Sequence, residues 1–161
     1  MSERPSKRAL KEQLVAALSA ELAVLERAHD ASREAATHEE AKPENDKDTR
    51  ALEQSYVARG QALRIEQMRS DLADAENMPS REFGAGDPVA LSAVVIVEEG
   101  DRIQAFFVAP SGGGTSLHDG KIQVVTPKSP LGRALVGKRR GDGCELAMGG
   151  KVRELSLVEV S

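Results

Sequence analysis

Thr37-His38-Glu39-Glu40-Ala41-Lys42-Pro43-Glu44-Asn45-Asp46-Lys47-Asp48 is an acidic break between two long helix-forming stretches. Proline removes a backbone donor and pushes the preceding residue out of helical geometry, so no helix runs through Lys42-Pro43. Asn45, Asp46 and Asp48 carry short side chains suited to cap a following helix. Upstream, from about Arg8 to His38, there is no Gly or Pro, and Ala, Leu, Glu, Lys and Arg dominate. Val15, Leu18, Leu22 and Leu25 fall on one stripe, which continues through His29, Ser32 and Ala36. A helix whose stripe turns small and polar while its helix formers persist projects into water or into a polar partner. Downstream, a second helix is predicted from about Asp48 to Asn77, with Leu52, Tyr56 and Leu63 on one stripe and Ile65, Met68, Leu72 and Ala75 on another. Gly60 inside it costs about 1 kcal/mol relative to Ala and is read as a point of close approach by the first helix. Each helix would be roughly 45 Å long at the helical rise. The two therefore read as a protruding antiparallel hairpin, a coiled coil with its tip at about residues 38–48.

Beyond the hairpin, Met78-Pro79 through Asp87-Pro88 has the Pro and Gly content of a linker and turn. The boundary is placed here, giving an N-terminal hairpin at 1–79 and a C-terminal body at 80–161. Strand-like runs follow at Val89 to Val97, Gln104 to Ala109, Ile122 to Val125 and Lys151 to Val160, with Glu99-Gly100-Asp101 as a hairpin turn. Ser111 to Ser116 is a flexible glycine-rich loop and lacks the Gly-Lys-Ser/Thr of a phosphate cradle. Ser129-Pro130-Leu131-Gly132-Arg133-Ala134-Leu135-Val136-Gly137 is a short helix, with Ser129 as N-cap, Pro130 at the first position and Gly137 as the stop. Gly141-Asp142-Gly143 turns into the last two strands. The fold class is α+β: a long helical hairpin followed by a small, mostly antiparallel sheet carrying one short helix.

Composition narrows the function. Aromatic residues are 2% of the chain, too few for a base-stacking platform. A net charge of −4 disfavours unaided binding to nucleic acid, which needs clustered cations. The single cysteine, Cys144, excludes an internal disulfide and a cysteine metal cluster, and fits a reducing cytoplasm. Neither an apolar leader nor an 18-residue apolar span is present, so the reading is a cytoplasmic protein without a membrane segment.

The run Ser129-Pro130-Leu131-Gly132-Arg133-Ala134-Leu135-Val136-Gly137-Lys138, followed by Gly141-Asp142, resembles the C-terminal signature of the Gre family of bacterial transcription elongation factors. The resemblance implies a coiled-coil hairpin before an FKBP-like domain, the order reached above from pattern. It also implies a monomer whose body grips bacterial RNA polymerase at the mouth of its secondary channel, with Ser129, Pro130, Leu131 and Gly132 in the contact. In that family the hairpin enters the channel, and acidic tip residues help the polymerase's own active site hold a second magnesium ion and a water beside the nascent RNA 3′ end. Hydrolysis of backtracked RNA follows by two-metal chemistry. No cofactor would be bound stably, since the Mg²⁺ is shared with the polymerase, and the protein would be a coactivator and not an enzyme. The family tip reads Asp, two spacers, then Glu-Asn. Glu44-Asn45 matches the Glu-Asn, but Ala41 stands where the Asp is expected. The role therefore passes to Glu44, with Glu40, Asp46 and Asp48 as nearby carboxylates, and Glu44 with Asp46 as the magnesium ligands.

Other readings compete. The altered tip fits a non-cleaving channel regulator with the same docking. A free-standing FKBP-like prolyl isomerase needs an aromatic pocket, and the body offers only Phe83, Phe106 and Phe107. A plain hairpin adaptor would treat the acidic turn as a solvated loop. Lys138-Arg139-Arg140 could meet an acidic surface or water. Arg59, Arg64 and Arg69 could face RNA or polymerase, or pair with glutamates of the first helix. His38 beside Glu39 and Glu40 lacks a second His for a metal site, and Cys144 reads as a small buried hydrophobe.

Overall fold

The computed structural model describes residues 4–40 and 47–161, with side chains for 4–37 and 52–161. The elements are α1 (Lys7–Glu40), α2 (Lys47–Asn77), β1 (Val94–Glu99), β2 (Arg102–Val108), β3 (Ser116–Leu117), β4 (Ile122–Val125), α3 (Pro130–Leu135), β5 (Gly143–Met148) and β6 (Lys151–Val160). They fall into two compact units, Leu18–Leu72 and, together, Met1–Ala17 with Ala73–Ser161.

In the first of these units α1 and α2 run antiparallel. The face of α1 that turns inward is the predicted stripe: Leu18 is buried, and Leu22, Leu25, His29, Ser32 and Ala36 are half-buried. Gln61 of α2 joins its polar end, with Oε1 3.2 Å from His29 Nδ1 and Nε2 donating to Ser32 Oγ at 3.3 Å. Arg69 meets Glu26 at 3.2 Å and Arg64 lies 3.8 Å from Glu21. These exposed pairs set register more than stability, each being worth under about 1 kcal/mol. On α2 the buried stripe is Ile65 and Met68, whereas Leu52, Tyr56 and Leu63 are 56%, 64% and 63% exposed. They lie half a helical turn from the inward face. Gly60 corrects the expectation of close helix approach: a Cβ there would meet nothing within 4 Å.

In the other unit the sheet order is β3-β4-β2-β1-β6-β5. Every neighbouring pair is antiparallel except β2 with β4. Alternation along the strands splits the buried side chains between faces. Val95, Val97, Phe106, Val108, Leu146, Leu155 and Leu157 form the main core with Leu135 of α3. Phe107, Ile122 and Val124 lie on the reverse face, where Gln13 of α1 accepts the His118 N–H at 2.7 Å. Leu10 and Leu14 of α1 are fully buried.

Three differences from the sequence reading have local causes. Val89, Ser92 and Ala93 are buried and Ala90 and Leu91 half-buried, but the segment is not a strand. Val89 exchanges backbone hydrogen bonds with Lys138 and Gly137, and Ser92 adopts a left-handed φ of 74°, which turns the chain before β1. The glycine-rich segment after Ser111 is pinned, with Gly114 N–H donating to Val124 O at 2.9 Å and Val124 N–H to Thr115 O at 2.8 Å, and it leads into β3. Lys7, unremarked in the sequence, is buried. It sits on the same face as Leu10, Leu14 and Leu18, and that spacing is the signal that marks it.

Candidate functional site

The α3 entry loop is built around one carbonyl. Ser129 N–H and Ser129 Oγ both donate to Thr126 O, at 3.1 and 2.8 Å. The same Oγ accepts the Gly132 N–H at 3.0 Å, the N-cap predicted for it. Pro130 occupies the first helical position, where its missing N–H is no loss. Gly132 is required for space: a Cβ there would lie 1.7 Å from Thr126 O. Gly137, with φ 86°, ends the helix in a conformation that L side chains rarely adopt. The result is a fixed loop with Pro130 exposed and Leu131 half-buried.

Beside it lies a cavity of about 270 Å³ lined by Gln104, Phe106, Leu131, Leu146 and Arg153 among others. Arg153 is held by Glu99 Oε2 through Nε at 2.8 Å and Nη2 at 2.6 Å. That hydrogen bond draws the Glu99 carboxyl below its ordinary range. Phe106 is the one aromatic in the lining. Phe107 is fully buried, and Phe83 carries Lys7 and Arg81 cations at 5.1 and 4.9 Å from its ring. Of the predicted partner-binding residues, Ser129, Pro130 and Leu131 line this groove and Gly132 is buried.

The hairpin candidates stand differently. Glu44 and Asp46 lie outside the described residues, while Glu40 ends α1 and Asp48 is the second residue of α2, their side chains likewise outside the described set. His38 is in the same position. Among the described residues no cluster of His, Cys, Asp or Glu is arranged to hold a metal ion. The proposed magnesium donors are all carboxylates, the hard oxygen ligands that this ion takes. Of the basic residues, Arg64 and Arg69 pair with α1 glutamates, and Arg59 lies 5.8 Å from the Tyr56 ring centre. Cys144 is buried in the core, and that burial raises its thiol pKa, as befits an inert side chain.

Lys7 fastens the start of α1 to the body. Ser6 caps the helix, its Oγ accepting the Ala9 N–H at 3.0 Å. Lys7 Nζ donates to the carbonyls of Ser92 and Ser161, Arg4 pairs with Glu159, and Lys11 donates to Met78 O at 2.8 Å. Burial lowers the Lys7 pKa to about 8.

Comparison with known proteins finds sequence relatives among transcription elongation factors. No protein-family model matches the chain. A transcription elongation factor GreA of Xanthomonas axonopodis pv. citri is 31% identical over 130 residues, 80% of this chain and 77% of the relative. GreA proteins of Magnetococcus marinus and Polaromonas naphthalenivorans are 26% and 30% identical over 111 and 100 residues. Those alignments span 69% and 60% of this chain, and 67% and 60% of the relatives' own lengths. The GreA factor homolog 1 (Gfh1) structures of Thermus thermophilus and Thermus aquaticus are each 24% identical, with TM-scores of 0.40 and 0.41. Each covers 95% of this chain, which spans 95% and 94% of them in turn. This chain belongs to the Gre family of transcription elongation factors. Among its described residues no helix is long and apolar enough to cross a membrane.

Proposed function

We propose that this chain acts on bacterial RNA polymerase, docking at the secondary channel through the Ser129-Pro130-Leu131-Gly132 loop and delivering its acidic hairpin turn to the active site. There Glu44, with Glu40, Asp46 and Asp48 beside it, helps the polymerase hold a second magnesium ion and stimulates hydrolysis of backtracked RNA. The observation that carries the docking half is the Thr126–Ser129–Gly132 contact. Hydrogen bonds and the missing Cβ lock this loop so that Pro130 and Leu131 border an open groove. Preorganisation of that kind lowers the entropic cost of binding. A magnesium ion supplies charge neutralisation and an activated water, while this chain contributes carboxylate oxygens and no complete metal site. The protein is thus a coactivator working as a monomer, and the hydrolysis is the polymerase's own. The test is RNA cleavage in a stalled, backtracked elongation complex across a magnesium titration. Shortened 3′ ends that vanish with Glu44→Ala support the reading, and absence of polymerase binding defeats it.

A second reading keeps the docking and removes cleavage. Ala41 stands where the family pattern has an aspartate, so the turn lacks a carboxylate at that position. A non-cleaving regulator would slow elongation or compete with a cleavage-competent factor in the same assay, and Glu44→Ala would not restore any cleavage. The isomerase reading loses ground because one aromatic, Phe106, lines the groove.

A further inference from the structure

The last strand of the sheet order, β5, has an unpartnered edge with an unusual charge arrangement. The β5–β6 hairpin turns through Gly149-Gly150 and closes on Met148↔Lys151. Hydrogen-bonded pairs alternate in an antiparallel ladder. Cys144, Leu146 and Met148 therefore bond to β6, and the Leu157 N–H to Asp142 O bond at 2.9 Å continues the same alternation. The backbone groups of Gly143, Glu145 and Ala147 point away from the sheet. Among the described residues none of them has a backbone partner across that edge.

Glu145 and Glu154 face each other directly across the hairpin. Theirs is a non-hydrogen-bonded pair, the kind in which side chains come closest. Like charges so placed destabilise a sheet, and neither carboxylate has an ion-pair partner among the described residues. By alternation both project from the face opposite Cys144 and Leu155. On the Cys144 side, α3 and the segment after it bring Arg133 and Lys138 to the same edge, and an open cavity of about 690 Å³ at that edge is bordered by these cations as well as by Glu145 and Glu154. The edge thus shows carboxylates on one face and cations on the other.

We propose that the β5 edge receives an extended peptide segment of a partner protein as an added strand, and that the segment carries a cationic residue next to an anionic one. Main-chain bonds to Gly143, Glu145 and Ala147 supply the pairing, and alternating side chains supply the choice of sequence. The cation settles over Glu145 and Glu154 and relieves their repulsion. The next side chain points to the other face and meets Arg133 and Lys138. A second copy of this chain is a poor occupant, because β5 against β5 brings further glutamates to the same spot. This inference is independent of the polymerase reading.

The probe is a synthetic nine-residue peptide of valine and threonine with one adjacent lysine–glutamate pair at its centre, titrated into the full chain and followed by amide hydrogen exchange and NMR shifts. The expected result is new protection at the Gly143, Glu145 and Ala147 amides with shifts confined to residues around β5 and α3. N-methylation of one edge-facing peptide amide should weaken binding about fivefold, the worth of one hydrogen bond. Glu145→Lys combined with Glu154→Lys should weaken it further, and a peptide whose lysine is replaced by a second glutamate should fail on the unmodified protein. The proposal is overturned by equal binding of the N-methylated peptide, by an unprotected edge at millimolar peptide, or by edge amides already protected in a concentration-dependent way without peptide.

Discussion

Replacing Gly132 with Ala tests the geometry on which the docking loop depends. The new Cβ would lie 1.7 Å from Thr126 O and 2.6 Å from Thr126 C, both backbone atoms, so the segment from Thr126 to Ser129 has to move. Overpacking of this kind costs about 1–3 kcal/mol. Moving Thr126 O also strains its bonds from Ser129 N and Oγ, worth about 1 kcal/mol each. Against this stands the helical advantage of Ala over Gly, about 1 kcal/mol. The net expectation is a loss of about 2–4 kcal/mol. With a urea slope of about 2 kcal/mol/M, the midpoint falls by about 1–2 M. The chain has no Trp and its single Tyr is in α2, so the body is best followed through NMR amide signals of β1 and β2. Gly137→Ala is the control: its site is open but its φ is 86°, so its cost comes from left-handed backbone strain, about 1–2 kcal/mol. A Gly132→Ala protein with an unchanged midpoint would refute the account of the loop.

Gly60→Ala should do the opposite and raise hairpin stability by about 1 kcal/mol, since the added methyl meets nothing within 4 Å; a thermal melt by circular dichroism that shows destabilisation would mean an unrecognised contact. Leu14→Ala should cost about 2–5 kcal/mol in urea denaturation, because Leu14 is fully buried. Lys7 has a folded pKa of about 8 against an ordinary 10.5. Below pH 8 it is charged in both states and its burial penalty is fully present. Between about 8 and 10.5 the unfolded chain holds the proton that the folded chain has lost, so stability rises with pH. Denaturation midpoints of wild type and Lys7→Met, compared from pH 7 to 10.5, should diverge in slope over that window, and parallel slopes would remove Lys7 as the source.

The hairpin was legible because periodicity and breakers agree. The end of α1 and the start of α2 on either side of Lys42-Pro43, which itself lies outside the described residues, the inward stripe of α1 and the Ile65–Met68 stripe of α2 each follow from residue type alone. The α3 cap was legible for the same reason, since Ser129, Pro130 and Gly137 each carry a strong local preference. What escaped was set by contacts distant in sequence. Residues 89–93 are apolar enough for a strand, yet Val89 bonds to Gly137 and Lys138 while the Ser92 N–H and the Ala93 carbonyl bond to Val108. The parallel β2–β4 pairing and the short β3 depend on how the chain returns after Ala109, which no local pattern encodes.

Gly132 and Gly60 show why composition alone misleads. Both are glycines inside helices, and sequence reasoning gave Gly60 the spatial role and Gly132 only a place in a motif. The structure exchanges those roles. At Gly132 a carbonyl fills the space a methyl would take, and the glycine fixes a loop. Gly60 is exposed, with nothing within 4 Å of where a Cβ would stand, and lies near Tyr56 and Leu63 on the solvent face of α2. Such a glycine costs the helix about 1 kcal/mol relative to Ala, and no contact at its Cβ position offsets that cost. Gly60→Ala tests that directly, because the added methyl brings helix propensity without a clash and the isolated chain should gain stability.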